Sequence, residues 1–532
     1  MGTDSMGSLG VPWSHQLWPQ EQKITKMGQH MIEFPFASIS DALVHHAAQK
    51  PDAPALIAGG ERLNYAALAE AAARGATYLA TLGLRPGERV GLGLANSIER
   101  VILGLATMHL GAVPVELPPG LPQDVLAARV KRFGLAASFV EADGPESPAR
   151  IAVKLGFSWR AGLARHAPSP PTPLAPEQLQ IIILSSGSTG EPKGAIITQR
   201  QRILRAGIYL ARFGEAWGLE QPGPLLLLAP AATSLISQCL ANQLVLGGAT
   251  VLLPPFQSVQ DMARAIAGWD DAICPMPPGM IRQFLPLGES GAHLFPRLRA
   301  LITSGQPMAA HDKQAVMTRL TAKLHEVYGA SGFGLMAYAG PAELAAKPGS
   351  VGRPATGPGI EVQIVTPERE ALPPGIPGIL RLRGPVAALG YANPEDNFGS
   401  EHIAEGWYYP GEIAALDETG SLILQGRAAD AIRVNGSVLY PPAIEDALTR
   451  YKEIAEAAVV ARASAGGTEI AAFIVPRPGF RQEMFWAHCA ATLAPESRPK
   501  TLFQLAALPR TGNGKLDRPA LKQQAAQLEQ PA

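Results

Sequence analysis

The chain is poor in cysteine. Its 532 residues include only Cys239, Cys274 and Cys489, and no Cys-x-x-Cys or Cys/His metal-binding spacing occurs among them. Unpaired cysteine is among the most frequently buried residue types, and disulfides are rare where thiols are kept reduced. We therefore expect three small buried side chains in a cytoplasmic protein, without a disulfide framework or a cysteine metal site.

Charge and long apolar runs are also scarce. Charged residues make up 17% of the chain, and 45 Lys and Arg balance 45 Asp and Glu, so the net charge is zero. This balance argues against binding nucleic acid by general attraction to phosphate, although it leaves room for a local basic patch. No apolar run reaches the ~18 residues that a membrane-spanning helix needs. The first ten residues, MGTDSMGSLG, lack the basic and apolar regions of a secretory signal, so we expect a cytoplasmic protein with no membrane span.

Glycine and proline, in contrast, are abundant. The chain has 55 Gly and 49 Pro, about one fifth of all residues, which is below the roughly 25–30% typical of disordered chains. Length alone predicts about three or four domains. Residues 1–35 are polar and aperiodic, and we predict that they form a flexible N-terminal arm.

Short apolar strands alternate with amphipathic helices from Ile39 onward, and proline-rich connections interrupt them at 118–122 and 168–176. Such alternation predicts layered α/β structure with mostly parallel, buried strands. The predicted elements are the helix from Ile39, the strand Arg62–Tyr65 entering a helix that ends near Gly83, the strand Arg89–Leu94, the helix Ser97–Leu110 and the apolar runs Ala112–Glu116, Gln180–Leu184, Leu225–Ala229 and Thr250–Leu253.

The pattern changes near Gly359, where short alternating strands separated by Gly and Pro predict a β-rich subdomain. A second change follows Gly426, where helices and strands mix again. We predict a large domain over residues 36–426 and a small α+β domain over 427–532. The elements behind this division are the strands Ile360–Val365, Gly378–Arg383, Gly420–Leu424, Ala457–Ala461 and Glu469–Val475 and the helices Ile444–Tyr451 and Phe485–Leu493.

The sharpest local feature is the ten-residue segment Ser185–Gly194 (SSGSTGEPKG), which follows an apolar strand. Its three glycines and four hydroxyls expose backbone N–H groups suited to phosphate oxygens, and Lys193 adds a positive charge. It is not a Walker A loop, because Pro192 precedes the lysine and Gly194 follows it. A generic Gly/Ser turn is the simpler alternative for such a segment.

This segment resembles the signature loop of the adenylate-forming (ANL) superfamily, which includes acyl-CoA synthetases, nonribosomal-peptide adenylation domains and luciferases. The family pattern [Ser/Thr]-Ser-Gly-[Ser/Thr]-[Ser/Thr]-Gly-x-Pro-Lys-Gly is matched at every defined position. Other motifs of the family follow in the same order, and together they extend over residues 38–525. These are Leu301–Met308, Tyr328-Gly329, Gly349–Gly359, Gly390-Tyr391, Trp407–Ile413, Gly426-Arg427 and Pro509–Lys515.

The resemblance implies the family's fold and reaction. The fold is a large N-terminal domain of α/β subdomains with a β-rich subdomain, followed by a small, mobile α+β C-terminal domain. The reaction joins a carboxylic acid to ATP, forming an acyl-adenylate and pyrophosphate, with Mg²⁺ accompanying the phosphates. The acyl group then passes to a thiol, either CoA or the pantetheine of a carrier protein. A member that passes it to an amine, forming an amide, is the alternative.

The resemblance also assigns roles to individual residues. In the family the glycine loop guides the β- and γ-phosphates. By the same resemblance, Tyr328 is expected to pack against adenine and Arg427 to contact the ribose. The expected ATP- and AMP-binding residues are Ser185, Ser186, Gly187, Ser188, Thr189, Gly190, Lys193, Gly305, Gln306, Pro307, Tyr328, Gly329, Ala330, Ser331, Glu412 and Arg427.

Lys515 is the expected catalytic residue, bridging the carboxylate, the α-phosphate and the ribose oxygen. The chain has 13 lysines against 32 arginines, and two of the lysines, Lys193 and Lys515, lie in glycine-rich loops. A compact ammonium on a flexible stem suits a group that enters and leaves a phosphate site. The alternative is a solvated surface lysine in the turn Thr511–Gly514.

The sequence departs from the family pattern at four positions. The motif glutamate that binds Mg²⁺ falls at Gly332, so either water and phosphates alone hold the metal or another carboxylate replaces it. Glu412 stands where the family has its ribose-binding Asp, and a displaced surface carboxylate is the alternative. Ala429 stands at the hinge, where Asp or Lys is common. Thr233 aligns with the family's frequent His beside the carboxylate.

The acid pocket is expected around Thr233, Ala232, Gly332 and Phe333. Adenylation domains for α-amino acids place an Asp in this region, and residues 229–236 contain no acid, so an amino acid is disfavoured. The small apolar residues favour a monocarboxylic acid with an aryl or medium-length acyl body. No metal ligand is assigned among the side chains.

Three other functions compete with this interpretation. A degenerate homologue would bind nucleotide without efficient turnover, but both lysine loops are intact. A nucleotide-binding oxidoreductase is disfavoured, because residues 329–334 do not have Gly-x-Gly-x-x-Gly spacing and no acidic ribose partner follows. The third is a non-catalytic scaffold. Its binding would be retained after Lys515→Ala, whereas adenylate formation by an enzyme would be lost.

Overall fold

The computed structural model describes residues 25–27, 31–156, 158–185, 191–288, 291–397, 401–434, 436–464, 467–511 and 516–527. Its first part contains ten strands and five helices. The strands are β1 (Thr25–Met27), β2 (Met31–Glu33), β3 (Pro54–Ala58), β4 (Glu61–Asn64), β5 (Arg89–Gly93), β6 (Val113–Glu116), β7 (Leu135–Glu141), β8 (Ile151–Leu155), β9 (Leu179–Ser185) and β10 (Lys193–Thr198). The helices are α1 (Ile39–Gln49), α2 (Tyr65–Thr81), α3 (Ile98–His109), α4 (Gln123–Phe133) and the short α5 (Trp159–Gly162).

Six of these strands form one sheet in the order β10-β9-β6-β5-β7-β8. All its neighbours are parallel except β9 and β10, which form an antiparallel hairpin. The first three helices begin at side-chain caps, since Ser38, Asn64 and Ser97 each accept a hydrogen bond from the backbone N–H three residues ahead. Such caps satisfy the unpaired N–H groups at a helix start.

The second part adds a nine-stranded sheet in the order β17-β16-β15-β14-β13-β11-β12-β3-β4, whose central strands are parallel and whose edges are antiparallel. The strands are β11 (Leu225–Leu227), β12 (Thr250–Leu252), β13 (Ile273–Met276), β14 (Ala300–Ser304), β15 (Leu324–Ala330), β16 (Gly334–Ala339) and β17 (Arg353–Pro354). The helices are α6 (Gln199–Trp217), α7 (Ser234–Leu246), α8 (Val259–Ala267), α9 (Pro278–Phe284), α10 (Ala310–Arg319) and α11 (Pro341–Ala346).

The expected β-rich subdomain follows as an antiparallel sheet. Its strands are β18 (Glu361–Val365), β19 (Gly378–Arg383), β20 (His402–Ala404), β21 (Trp407–Tyr409), β22 (Glu412–Leu416) and β23 (Leu422–Arg427). Arg427 is the last residue of β23 and pairs with Glu412 in this sheet. A domain boundary between residues 426 and 427 would therefore cut through the end of the strand.

The C-terminal part forms separate sheets and hydrophobic cores. Two clusters of buried side chains, around Phe485 and Phe473, contain only residues from Ile432 onward. The strands are β24 (Ile432–Val434), β25 (Ser437–Leu439), β26 (Ile454–Ser464), β27 (Gly467–Pro476) and β28 (Thr501–Gln504), and the helices are α12 (Pro441–Thr449), α13 (Gln482–Thr492) and α14 (Arg518–Gln527). The molecule therefore has the predicted fold, a large layered α/β and β N-terminal domain with a smaller α+β C-terminal domain.

The two large sheets are mostly parallel, as the sequence predicted, with antiparallel hairpins such as β3–β4 and β15–β16 at some of their edges. One expectation about the large domain needs correction. The N-terminal arm was expected to reach residue 35, but Met31 and Ile32 are buried in the main core. The packed structure therefore includes residue 31, and residues 1–24 of the predicted arm lie outside the described part of the chain.

The contact between β2 and α6 depends on glycine at position 207. A Cβ atom added there would lie 2.1 Å from the backbone oxygen of Ile32, well inside van der Waals contact. We expect Gly207→Ala to destabilise the protein by about 1–3 kcal/mol, because the helix or the strand must move. Gly104→Ala in α3 is the matched control, since its added carbon would meet only Leu92 Cδ1 at 3.7 Å. Urea denaturation of both variants tests this, and equal stability of the two would contradict it.

The three cysteines are unpaired and buried, as the sequence predicted. Among the described residues, no helix is long and apolar enough to cross a membrane.

Candidate active site

The predicted adenine-side segments meet at one edge of the nine-stranded sheet. β14 and β15 are parallel, and Ser304 pairs with Val327, so the following residues Gly305 and Tyr328 lie side by side at the carboxyl ends of the strands. Gly305 has a φ of +90°, which turns the chain sharply out of β14 toward Gln306 and Pro307. The carboxyl edge of parallel strands is the usual place for a ligand in such a fold.

The predicted phosphate loop connects the hairpin β9–β10, in which Ser185 pairs with Lys193. The loop residues Ser186, Gly187, Ser188, Thr189 and Gly190 lie outside the described residues. The Ser185 hydroxyl is buried and has no hydrogen-bond partner within the described part of the chain. The Ser331 hydroxyl, at the end of the Tyr328–Ser331 motif, donates to the Leu184 backbone oxygen at 3.4 Å. The structure therefore brings two predicted nucleotide motifs together.

Lys193 lies in the interior and not on the surface. Its ammonium donates to the backbone oxygens of Asp396 and Glu401, the latter at 2.7 Å, and lies 5.1 Å from the centre of the Tyr391 ring. Burial lowers the pKa of Lys193, while the charges of Glu401 and Asp396 act in the opposite direction. The lysine thus ties the hairpin to Asp396 and Glu401, two residues that the motifs did not single out.

The predicted ribose-binding residues form a pair. Glu412 and Arg427 face each other on β22 and β23, and Arg427 Nε lies 3.4 Å from Glu412 Oε1. Burial opposes the charge on Arg427, but Glu412, Glu401 and Asp430 together raise its pKa. A carboxylate paired in this way presents acceptor oxygens for hydroxyl groups.

Tyr328 lies close to this pair. Burial and the charge of Glu412 raise the pKa of its hydroxyl well above the ordinary value, and Arg427 partly offsets the effect. The hydroxyl is buried and lacks a hydrogen-bond partner among the described residues. A buried polar atom without a hydrogen-bond partner destabilises the folded protein, so such an atom is typical of a site where a ligand supplies the partner.

Gly332 and Phe333, which were predicted to line the acid pocket, directly follow Ser331 and are buried. Phe333 is fully buried and stacks on Tyr408, with ring centres 6.1 Å apart. Gly332 accepts a hydrogen bond from the Ala388 N–H at 2.8 Å, and a Cβ atom added to it would lie 2.5 Å from the Tyr408 ring. Gly329 and Ala330 are the last two residues of β15.

The predicted acid-pocket turn precedes α7. Thr233 is the N-cap residue of α7, but its hydroxyl accepts no hydrogen bond from the N–H groups of the helix and instead donates to the Pro230 backbone oxygen at 3.1 Å. The Asn96 side chain holds the turn from the other large sheet, since it donates to the Ala229 oxygen and accepts from the Ala231 N–H, both at 2.9 Å. Ala232 is partly exposed beside it. Asn96 was not predicted, because no motif marks it.

The predicted hinge and catalytic lysine belong to the C-terminal side. Ala429 is exposed in a short 3-10 turn, Ala428–Asp430, directly after β23. Lys515 lies outside the described residues, but a bridge between Arg510 and Leu516 closes the base of its loop. Among the described residues, no group of three or more His, Cys, Asp or Glu side chains could hold a metal ion.

Comparison with known families agrees with this geometry. The profile of the AMP-binding enzymes matches residues 43–392, and the profile of their C-terminal domain matches residues 443–515. The chain belongs to the AMP-binding enzyme family, which is the adenylate-forming superfamily that the motifs predicted.

Three similar proteins illustrate the range of the family. The chain is 27% identical to a fatty acid–[acyl-carrier-protein] ligase, ScoC, of Streptomyces coeruleorubidus, with 90% of this chain and 94% of that protein covered. It is 29% identical to a sulfoacetate–CoA ligase of Cupriavidus necator, with 91% and 97% covered. Its fold matches that of the amide bond synthetase McbA from Marinactinospora thermotolerans with a TM-score of 0.77 at 22% identity, covering 91% and 99%.

Proposed function

We propose that the protein activates a carboxylic acid with ATP and transfers the acyl group to a thiol. The observation that carries this proposal is the convergence of Tyr328, Glu412 and Arg427 beside the hairpin of Ser185 and Lys193. Two buried hydroxyls there, those of Ser185 and Tyr328, have no partner among the described residues. A bound nucleotide would supply hydrogen-bond partners for these hydroxyls, and its phosphates would supply negative charge for the nearby cations.

In the first step, a carboxylate oxygen attacks the α-phosphorus, the bond from this phosphorus to the bridging oxygen breaks, and pyrophosphate leaves. Anions repel one another, so fixed donors and cations must hold the phosphates. The hairpin carrying Lys193 serves the β- and γ-phosphates, and the Glu412–Arg427 pair serves the ribose hydroxyls. Lys515 neutralises the charge that develops at the reacting oxygens. Mg²⁺, when bound, reduces the charge of the phosphate chain.

In the second step, a sulfur attacks the acyl carbon and AMP leaves with the bonding electrons. Rotation of the small domain about Ala429 removes Lys515 and opens a path for the thiol. The named relatives include both a carrier-protein ligase and a CoA ligase, which fits a thiol acceptor of either kind. The fold match to an amide bond synthetase keeps transfer to an amine as the second candidate.

The acid is proposed to have an apolar body, aryl or medium-length acyl. The turn before α7 offers Ala231 and Ala232, the helix begins with Leu235, and the back wall is Gly332 with the buried Phe333. No ionisable side chain occurs within residues 229–236, so an ammonium on the substrate would be buried without a partner. The three unpaired, buried cysteines fit a reducing compartment that contains ATP, which is the cytoplasm.

A panel of carboxylic acids tests this function. We expect aryl or medium-chain acids, but not α-amino acids, to drive exchange of labelled pyrophosphate into ATP. The same acids should then release AMP stoichiometrically with CoA or with a pantetheinylated carrier protein. Exchange driven by amino acids alone would contradict the substrate proposal. AMP release with amines but not with thiols would favour the amide-forming alternative.

A further inference from the structure

The carboxylate of Glu401 is anchored at the centre of the site, although no motif includes it. Its Oε1 accepts hydrogen bonds from the hydroxyls of Tyr391 and Tyr408, both at 2.9 Å. Burial raises the pKa of both tyrosines, so each remains a donor at neutral pH. Among the described residues, no group donates to Oε2. One oxygen is therefore fixed by the protein, while the other is available.

The position of this carboxylate is coupled to the glycine at 332. Tyr408 is fully buried, and its ring fills the space where a side chain at 332 would begin, with Cε2 2.5 Å from an added Cβ atom. The hydroxyl of the same tyrosine reaches Glu401. The ring that excludes a side chain at position 332 thus positions a different carboxylate nearby.

Glu401 also lies between the phosphate side and the ribose side of the site. Its backbone oxygen accepts from the Lys193 ammonium at 2.7 Å. Its charge acts on Lys193, on Arg427 and on the Tyr328 hydroxyl. A cation held at this point would be close to the phosphates of a bound nucleotide.

We propose that Glu401 replaces the motif carboxylate absent at Gly332, and that its Oε2 is the protein ligand of the Mg²⁺ that accompanies ATP. This inference rests on the proposed function. Mg²⁺ in nucleotide sites is commonly held by one or two carboxylates, with phosphate oxygens and water as the other ligands. A single anchored carboxylate therefore suffices, which agrees with the absence of a larger ligand cluster among the described residues.

Glu401→Gln tests the assignment, because the amide keeps the size of the side chain and an oxygen for both tyrosines but removes the charge. Isothermal titration with ATP is done with Mg²⁺ and with EDTA. We expect the wild type to bind ATP more tightly with Mg²⁺, and E401Q to lose about tenfold of that advantage. With Mn²⁺ and ATP, the spin-resonance signal of protein-bound Mn²⁺ should weaken equally.

Glu395→Gln is the matched control, since Glu395 is exposed in the preceding 3-10 turn, Pro394–Asn397, and its ion-pair partner Arg132 is 3.9 Å away. If E401Q keeps the full Mg²⁺ advantage, Glu401 only holds the two tyrosines and the inference is wrong, while the proposed function stands. If the wild type does not bind ATP under either condition, both are wrong. Tyr408→Phe keeps the carboxylate and loses one of its two anchors, so it should lower the Mg²⁺ advantage below that of the wild type. If E401Q does not fold, this second variant decides the test, because an unchanged Mg²⁺ advantage in Tyr408→Phe would contradict the inference.

Discussion

Replacing Lys515 by alanine is expected to slow acyl-adenylate formation by about 100- to 1000-fold, the usual effect of removing one group aimed at developing charge. The residue ends the Pro509–Lys515 loop, whose base is closed by the bridge from Arg510 to Leu516. In the proposed mechanism, its ammonium neutralises the reacting oxygens in the first step only. The measurement is pyrophosphate exchange and single-turnover formation of the acyl-adenylate, with ATP affinity followed in parallel.

Measuring the second half-reaction distinguishes a specific loss of adenylate formation from a general defect in folding or domain movement. K515A given a preformed acyl-adenylate should still transfer the acyl group to the thiol at nearly the wild-type rate, because the lysine has left the site by then. Lys522→Ala, an exposed lysine on α14, is the matched control and should leave both steps unchanged. Equal loss in both half-reactions would show that Lys515 acts on the fold or on domain rotation.

Replacing Glu412 by alanine is expected to lower kcat/KM for ATP by about 10- to 100-fold. Hydrogen bonds to a charged group contribute about 1.5–3 kcal/mol each, and the variant also leaves Arg427 without its 3.4 Å partner. Comparing ATP with 2′,3′-dideoxy-ATP makes the test specific. The wild type should prefer ATP strongly, and Glu412→Ala should lose most of that preference because the carboxylate that accepts from the hydroxyls is gone.

Glu418→Ala serves as the control for this experiment, because Glu418 is exposed in the turn between β22 and β23. It should retain both the ATP affinity and the preference over the dideoxy analogue. If Glu412→Ala still discriminates as the wild type does, the carboxylate does not meet the ribose, and its role is confined to holding Arg427.

Much of the fold follows from sequence pattern alone. The predicted helix from Ile39 is α1, and the predicted runs Arg89–Leu94 and Gln180–Leu184 become β5 and β9, each shifted by one residue at one or both ends. Periodicity and capping residues are local, so they specify local elements. Sheet order is not local. β3, near the start of the chain, pairs with β12 almost two hundred residues later, and no periodicity in either segment encodes that contact.

The site divides in the same way. Tyr328, Glu412 and Arg427 were found by motif order, and the structure places them together. Glu401 was missed, because a glutamate before a short strand has no distinctive local signature, and Tyr408 was given no role although it lies in the Trp407–Ile413 motif. Their significance arises only from contact, since one tyrosine ring fills the space at Gly332 and its hydroxyl holds the carboxylate.

The chemistry can be read from the chain alone, because it carries an ordered set of glycine loops, two lysines within them, and the motifs of a superfamily that forms adenylates. The absence of the motif carboxylate is also evident from the sequence, because position 332 is a glycine where the family has a glutamate. Which carboxylate lies close to Gly332 follows from the packing of the fold. Steric exclusion and hydrogen bonding act over a few ångströms. Residues 332, 401 and 408 come this close only because β15 and the antiparallel sheet pack together.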